Sequence, residues 1–153
     1  KKYKLNNSSK ILDVGCGKAF LLHEIKLILP KVEIIGYDIS KYAIKNSTNL
    51  IKPHLKFKYA EKKYKFKNNY FDLVISINTV HNLELDDCIT SIKEISRVSK
   101  GNSFITVDAY NNDDEKERMY KWNLTAKTIM STNDWKDTFK KIGYYGNYYW
   151  FIP

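Results

Sequence analysis

Apolar positions along the chain fall into short runs and broad stripes that take turns. The run Lys10–Val14 (KILDV) has the length of a buried strand and stops at Gly15. Over residues 18–29 the apolar positions Phe20, Leu21, Leu22, Ile25, Ile28 and Leu29 predict a helix with a wide stripe, halted by Pro30. Residues 32–39 (VEIIGYDI) predict a second strand, and Ser40 suits the N-cap of a helix through Tyr42, Ala43 and Ile44. Residues 55–60 alternate apolar and lysine positions, the period of a half-exposed strand. Residues 71–77 (FDLVISI) are nearly all apolar, as in a strand covered on both faces. Leu85, Ile89, Ile92 and Ile95 then recur at helical spacing, with Gly101 expected just past that helix, and residues 103–107 (SFITV) form a fifth strand.

Beyond this point the rhythm changes. Asp113, Asp114, Glu115 and Glu117 place negative charge where a helix start favours it, and Met119, Trp122, Ala126 and Ile129 give that helix one apolar side. A further helix carries Trp135, Phe139 and Ile142 up to Gly143, and residues 144–152 close the chain as aromatic strand. Five β–α units without repeat or linker predict one domain over residues 1–153, an α/β doubly wound fold. Its central sheet is mostly parallel, helices cover both faces, and the ligand crevice lies at the carboxyl ends of the strands.

Composition narrows the class. With 153 residues, 43% hydrophobic and 28% charged, the chain is neither wholly disordered nor fibrous. Its apolar runs are strand-sized, well short of the ~20 residues of a membrane span. Two cysteines, Cys16 and Cys88, make no disulfide framework, so a reducing, cytoplasmic setting is the expectation. The net charge of +9 is uneven: residues 1–67 hold 16 Lys against 5 acids, while the remainder is slightly acidic. Within residues 52–67, Lys52, Lys56, Lys58, Lys62, Lys63, Lys65 and Lys67 are interleaved with Phe57, Tyr59, Tyr64 and Phe66, a pattern that can track phosphates and stack bases. Lysine on an edge strand also guards against aggregation. With only Arg97 and Arg118 as arginines, nucleic acid is the lesser expectation.

The informative stretch runs from Ile11 to Leu21, ILDVGCGKAFL, where a strand meets Gly15-Cys16-Gly17 and a helix follows at once. Glycines there permit a tight turn and let backbone N–H groups approach a ligand. Asp13 stands two residues before Gly15, and Asp38 closes the second strand, where an acid can accept both hydroxyls of a ribose. A nicotinamide-binding module would need a third glycine where Phe20 stands.

These residues resemble the Rossmann-like class I S-adenosylmethionine-dependent methyltransferases, more closely their small type 11 members. That family's first motif reads like Asp-Val-Gly-Cys-Gly-x-Gly, against Asp13-Val14-Gly15-Cys16-Gly17-Lys18-Ala19 here. Lys58-Tyr59-Ala60-Glu61 matches a motif commonly written Gly-Asp-Ala-Glu, with Tyr59 in place of the acid. Phe71-Asp72-Leu73-Val74 followed by Asn78-Thr79-Val80-His81-Asn82-Leu83 looks like the family's Phe-Asp-Leu-Val…Leu-His-His-Leu. The resemblance implies S-adenosylmethionine as cofactor and S-adenosylhomocysteine as product. It implies Asp13, Gly15, Cys16 and Gly17 around the donor, Asp38 on the ribose, and Ile39, Ala60, Glu61 and Asn78 along the adenosyl group. Where the family usually has helices forming part of a lid, only nine residues precede Lys10, so a missing N-terminal lid is expected.

A sulfonium methyl donor is already activated, so the protein chiefly holds the reacting atoms in line. His81 is the candidate general base, against the alternative that it fixes its loop. Asp108 and Tyr110 end the fifth strand where an acceptor would bind, and Trp122 is placed to wall that pocket. No spacing of His, Cys and carboxylates suggests a metal. The expected acceptor is a small molecule, methylated at oxygen or nitrogen, with no membrane partner and no reading of oligomeric state. An RNA acceptor and a non-catalytic cofactor-binding module are the alternatives.

Overall fold

Strand-forming runs pair first with their neighbours in the chain, and the sheet grows outward in two directions from its centre. The computed structural model describes residues 2–153. Its elements are β1 (Lys10–Val14), α1 (Phe20–Ile28), β2 (Glu33–Asp38), α2 (Lys41–Lys45), β3 (Leu55–Phe57) and β4 (Leu73–Ile77). After these come α3 (Leu85–Val98), β5 (Ser103–Tyr110), α4 (Asp113–Trp122), β6 (Met130–Ser131), α5 (Thr132–Ile142) and β7 (Asn147–Phe151). The sheet order is β3-β2-β1-β4-β5, and β6 and β7 both pair with β5. Every one of these pairings is parallel. The chain runs from β1 out to β3, then returns to place β4 on the other side of β1. That reversal opens a crevice between the loops that follow β1 and β4.

Successive strand residues point to opposite faces, which produces two cores. On one face Leu12, Val14, Val74, Ile105 and Val107 pack with Cys88, Ile92 and Ile95 of α3 and with Trp135 and Phe139 of α5. On the other, Ile11, Ile34, Leu73 and Ile75 pack with Leu22 of α1 and with Ile51. No helix among the described residues is long and apolar enough to cross a membrane.

Several expected boundaries move, each for a local reason. The helix expected over residues 18–29 begins at Phe20, because Ala19 takes a left-handed conformation at φ 58°. Its wide apolar stripe is not a wide buried face: Leu22 is fully buried, whereas Phe20 and Ile28 are 66% and 75% exposed. The strand expected over 55–60 ends at Phe57, and the Lys58 N–H donates to the Asp38 carbonyl (3.1 Å) as the chain turns across the end of β2. Gly101 does not directly follow α3. Ser99 occupies that place, and Gly101, at φ +96°, lies in the tight link to β5.

The helix expected to run to Ile129 stops at Trp122. The Asn123 side chain accepts the N–H groups of Thr125 (3.1 Å) and Ala126 (2.7 Å), an Asx-type turn that competes with further helix. The redirected chain brings the N–H groups of Lys127 and Thr128 onto the His81 carbonyl, both at 2.9 Å. Ser40 caps α2 as expected, accepting from the Ala43 N–H at 3.1 Å.

Candidate functional site

The turn after β1 is tied down by its own backbone. The N–H groups of Gly15 (2.7 Å) and Cys16 (3.0 Å) both donate to the Tyr37 carbonyl on β2. Gly15 and Gly17 lie at φ +80° and +55°, where a side chain is strained. At Gly15 there is also no room: a Cβ would come within 2.0 Å of Thr79 Oγ1. That threonine donates to the Ile77 carbonyl (3.0 Å) and to the Gly15 carbonyl (3.3 Å), joining the β1 and β4 loops. Gly36 on β2 serves the same site from behind, since a Cβ there would meet Cys16 Sγ at 2.7 Å. Cys16 therefore turns its sulfur toward β2. Burial, with Asp13 and Asp38 nearby, pushes its thiol pKa up, so it stays a protonated packing group.

Two carboxylates flank the turn in different surroundings. Asp38 Oδ2 accepts the Gly17 N–H (2.6 Å) and Oδ1 accepts the Ser40 N–H (2.7 Å). Each oxygen keeps a further lone pair, and the residue lines an open cleft. Asp13 is buried on the face that carries Ile11, and its carboxyl accepts no hydrogen bond among the described residues. Burial first, and Asp38 second, push its pKa up to about 7.

The cleft holds about 330 Å³. Six residues expected from the sequence line it: Gly15, Asp38, Ile39, Ala60, Glu61 and Asn78. Asp13, Cys16 and Gly17 lie outside that lining; Cys16 packs toward β2 and the Gly17 N–H donates to Asp38. Tyr59, with 48% exposure, adds an apolar wall beside Ile39. Thr79 and Asn82 also line the cleft and were not expected; only Thr79's contact with Gly15, 64 residues earlier, marks its place.

Asn78 is shared with a second recess of about 260 Å³, walled by His81, Asp108, Trp122, Asn123, Leu124 and Thr125. Asn78 is fixed from β5, its N–H donating to Thr106 Oγ1 (2.8 Å) while that hydroxyl donates to Asn78 Oδ1 (2.7 Å). Trp122 leans on Phe151 with ring centroids 4.5 Å apart. The recess thus brings His81, Asp108 and Trp122 together. Tyr110 is not part of the recess wall, and Lys116 Nζ sits 5.5 Å from its ring. Tyr110 shares the Asp108 face of β5 but lies one step further along, at the strand's end and paired with Ser131 of β6.

His81 is buried, and its Nδ1 accepts the Asp108 N–H at 3.2 Å. The ring proton then belongs on Nε2, which faces Asp108 Oδ2 at 3.7 Å. Burial lowers the imidazole pKa to about 4, so the ring is neutral near pH 7. A hydrogen bond to the Thr106 backbone acts the other way and offsets only part of that shift.

Three kinds of similarity bear on this geometry. A family model described as a methyltransferase domain matches residues 5–147. A malonyl-[acyl-carrier protein] O-methyltransferase of Legionella pneumophila is 26% identical over 131 residues, 84% of this chain and 45% of that protein. Among solved structures, the YcgJ protein of Bacillus subtilis superposes with a TM-score of 0.68 at 18% identity, covering 92% of this chain and 64% of that one. An Archaeoglobus fulgidus SAM-dependent methyltransferase gives 0.67 at 20% identity, covering 88% and 60%. At these identities the structural likeness speaks for the fold. The chain spans about half the length of the Legionella protein and under two thirds of these structures.

Proposed function

Because the chain belongs to the methyltransferase-domain family, whose model spans residues 5–147, we propose that it moves a methyl group from S-adenosylmethionine to an oxygen or nitrogen of a small-molecule acceptor. The observation that carries this reading is the cleft of about 330 Å³, which joins a side-chain-free turn at Gly15 to the Asp38 carboxylate. The residues fit the cofactor. A Cβ at Gly15 would collide with Thr79, so glycine lets the β1 and β4 loops meet at the cleft, and Asp38 keeps lone pairs for a vicinal diol. Ile39 and Tyr59 offer apolar surface for a purine, and the Asp13 carboxyl stands ready for positive charge. When bound, the cofactor supplies a methyl group on a positively charged sulfur that leaves as a neutral thioether.

The chain's own residues then bind, orient and exclude water. Asp38 fixes the Gly17 and Ser40 amides, so the turn is set before any ligand arrives. Thr106 and Asn78 hold the junction between cleft and recess. His81 anchors its loop: its carbonyl accepts two N–H groups from the 127–128 segment and its ring accepts a third from β5.

Isothermal titration of S-adenosylhomocysteine tests the reading. Wild type should bind in the micromolar range, and Asp38→Ala should weaken binding roughly tenfold to a hundredfold, the range of one or two hydrogen bonds to a charged group. Equal titration curves for the two proteins would defeat it.

A second reading keeps nucleic acid as the acceptor. It is favoured by an open groove of about 490 Å³ along β3, lined by Lys56, Lys58 and Lys65 with Phe57 and Phe66. Lys58 also lines the cofactor cleft. Affinity for single-stranded RNA should then fall steeply with salt, and a flat response leaves the lysines as solvated surface.

A further inference from the structure

Among the polar side chains of the recess, Asp108 is the one without a partner. It is 2% exposed, its carboxyl accepts no hydrogen bond among the described residues, and the His81 Nε2 it faces is 3.7 Å away, beyond hydrogen-bond reach. Both of its backbone groups are engaged. The N–H donates to His81 Nδ1, and the carbonyl accepts from Trp135 Nε1 at 2.9 Å. No Lys or Arg lines the recess; its other walls are amides, a hydroxyl, Trp122, Leu124 and the neutral imidazole. A carboxylate in such a place keeps little water and has gained no compensating donor or cation, and its pKa is raised by that burial. An isolated buried charge of this kind is offset by a ligand that brings positive charge and N–H donors with it.

We propose that the acceptor taken by this recess is a primary or secondary amine, entering as its ammonium, and that Asp108 pairs with it and receives its proton. The inference rests on the transfer reaction proposed above and narrows its acceptor. One N–H bond of the ammonium breaks, the proton passes to the Asp108 carboxylate, and the electron pair stays on nitrogen. An ion pair thereby becomes a neutral amine beside a neutral carboxylic acid, the arrangement a poorly solvated recess favours. His81 cannot do this work, because its one lone pair already accepts the Asp108 N–H. Trp122 and Leu124 supply an apolar wall for the hydrocarbon part, and the indole face attracts a cation. An acceptor bearing a carboxylate would meet Asp108 with no cation to offset the repulsion.

Three probes of similar shape and different charge test this on the full chain saturated with S-adenosylhomocysteine: 2-phenylethylamine, 2-phenylethanol and phenylacetate, each titrated by NMR. Wild type should bind the amine roughly tenfold or more tightly than the alcohol, as a charge-assisted bond predicts, with phenylacetate weakest. Asp108→Asn should bring amine and alcohol within about twofold of each other and leave S-adenosylhomocysteine affinity unchanged, because Asp108 does not line the cofactor cleft. Trp122→Ala should weaken amine and alcohol together, keeping their ratio. Equal or tighter binding of the alcohol or phenylacetate, no saturable binding of the amine, or an amine preference that survives Asp108→Asn overturns the inference. Failure of wild type to bind S-adenosylhomocysteine overturns the transfer reading and this one together, whereas cofactor product bound without amine preference defeats this one alone.

Discussion

The cleft and the recess lie side by side, share Asn78, and are built from different material. The cleft is a backbone structure: a turn held by two N–H bonds to Tyr37, a carboxylate clamped by two more N–H groups, and a glycine where nothing larger fits. The recess is a side-chain structure drawn from three distant segments, around His81, Asp108 and Trp122. A site built on backbone depends on the turn's conformation and tolerates little change. Side-chain sites can be rewritten residue by residue without disturbing the frame. On the proposed reading, cofactor recognition belongs to the cleft and acceptor choice to the recess.

Substitutions in the cleft should therefore be felt by the whole molecule. Gly15→Ala has the largest expected effect. Its Cβ would enter Thr79 at a backbone angle disfavoured for alanine, which together cost about 2–5 kcal/mol. A melting curve should show that loss, and S-adenosylhomocysteine binding should disappear from titrations. A variant as stable as wild type would show that the β1 and β4 loops are not in contact.

Next comes the pH response of Asp13. Its carboxyl is raised from 3.8 to about 7 by burial and Asp38, so it stays protonated in the folded chain where the unfolded chain ionises. The unfolded state binds fewer protons across that window, so stability from this group is greatest below about pH 4 and declines as pH rises toward about 7. Asp13→Asn should remove the decline and be the more stable protein at pH 8, by up to ~4 kcal/mol. Urea titrations at pH 5 and pH 8 measure the difference, and parallel pH profiles for the two proteins would refute it. Affinity for S-adenosylmethionine should run the other way, rising from pH 6 to pH 8 in wild type, because a cationic ligand favours the ionised carboxylate.

The smallest effect is expected at Ala19, which opens α1 at φ 58° and is 1% exposed. Ala19→Gly relieves about 1–2 kcal/mol of left-handed strain. It also loses a buried methyl worth ~0.8 kcal/mol and frees the unfolded chain by roughly 0.4–1 kcal/mol. The net change should stay within about 1 kcal/mol of zero, read from the same urea titrations. A larger gain would mean that the methyl packs poorly.

Much of the cleft was legible because its logic is local. A strand run ending in Gly-Cys-Gly, an acid at the end of the next strand and a short loop after the fourth each require only their own few residues. The recess was legible by residue type but not by arrangement. Asp108 and Tyr110 look alike as strand-end candidates, yet Asp108 lines the recess and Tyr110 does not. Trp122 and Ile129 look alike as helical repeats, yet Asn123 ends the helix between them. The apolar stripe of α1 promised a wide contact, and the sheet covered only Leu22 fully.

Sequence by itself determined the alternation of strands and helices, the glycine turn and its acidic neighbours, since periodicity and backbone freedom act over a few residues. Tertiary structure alone decided that Thr79 closes against Gly15, that His81 spends its lone pair on the Asp108 amide, and that the Asp108 carboxyl is buried without a partner. Those facts depend on which side chains meet across the sheet and on how much water each keeps, and neither is written in the spacing of residues along the chain.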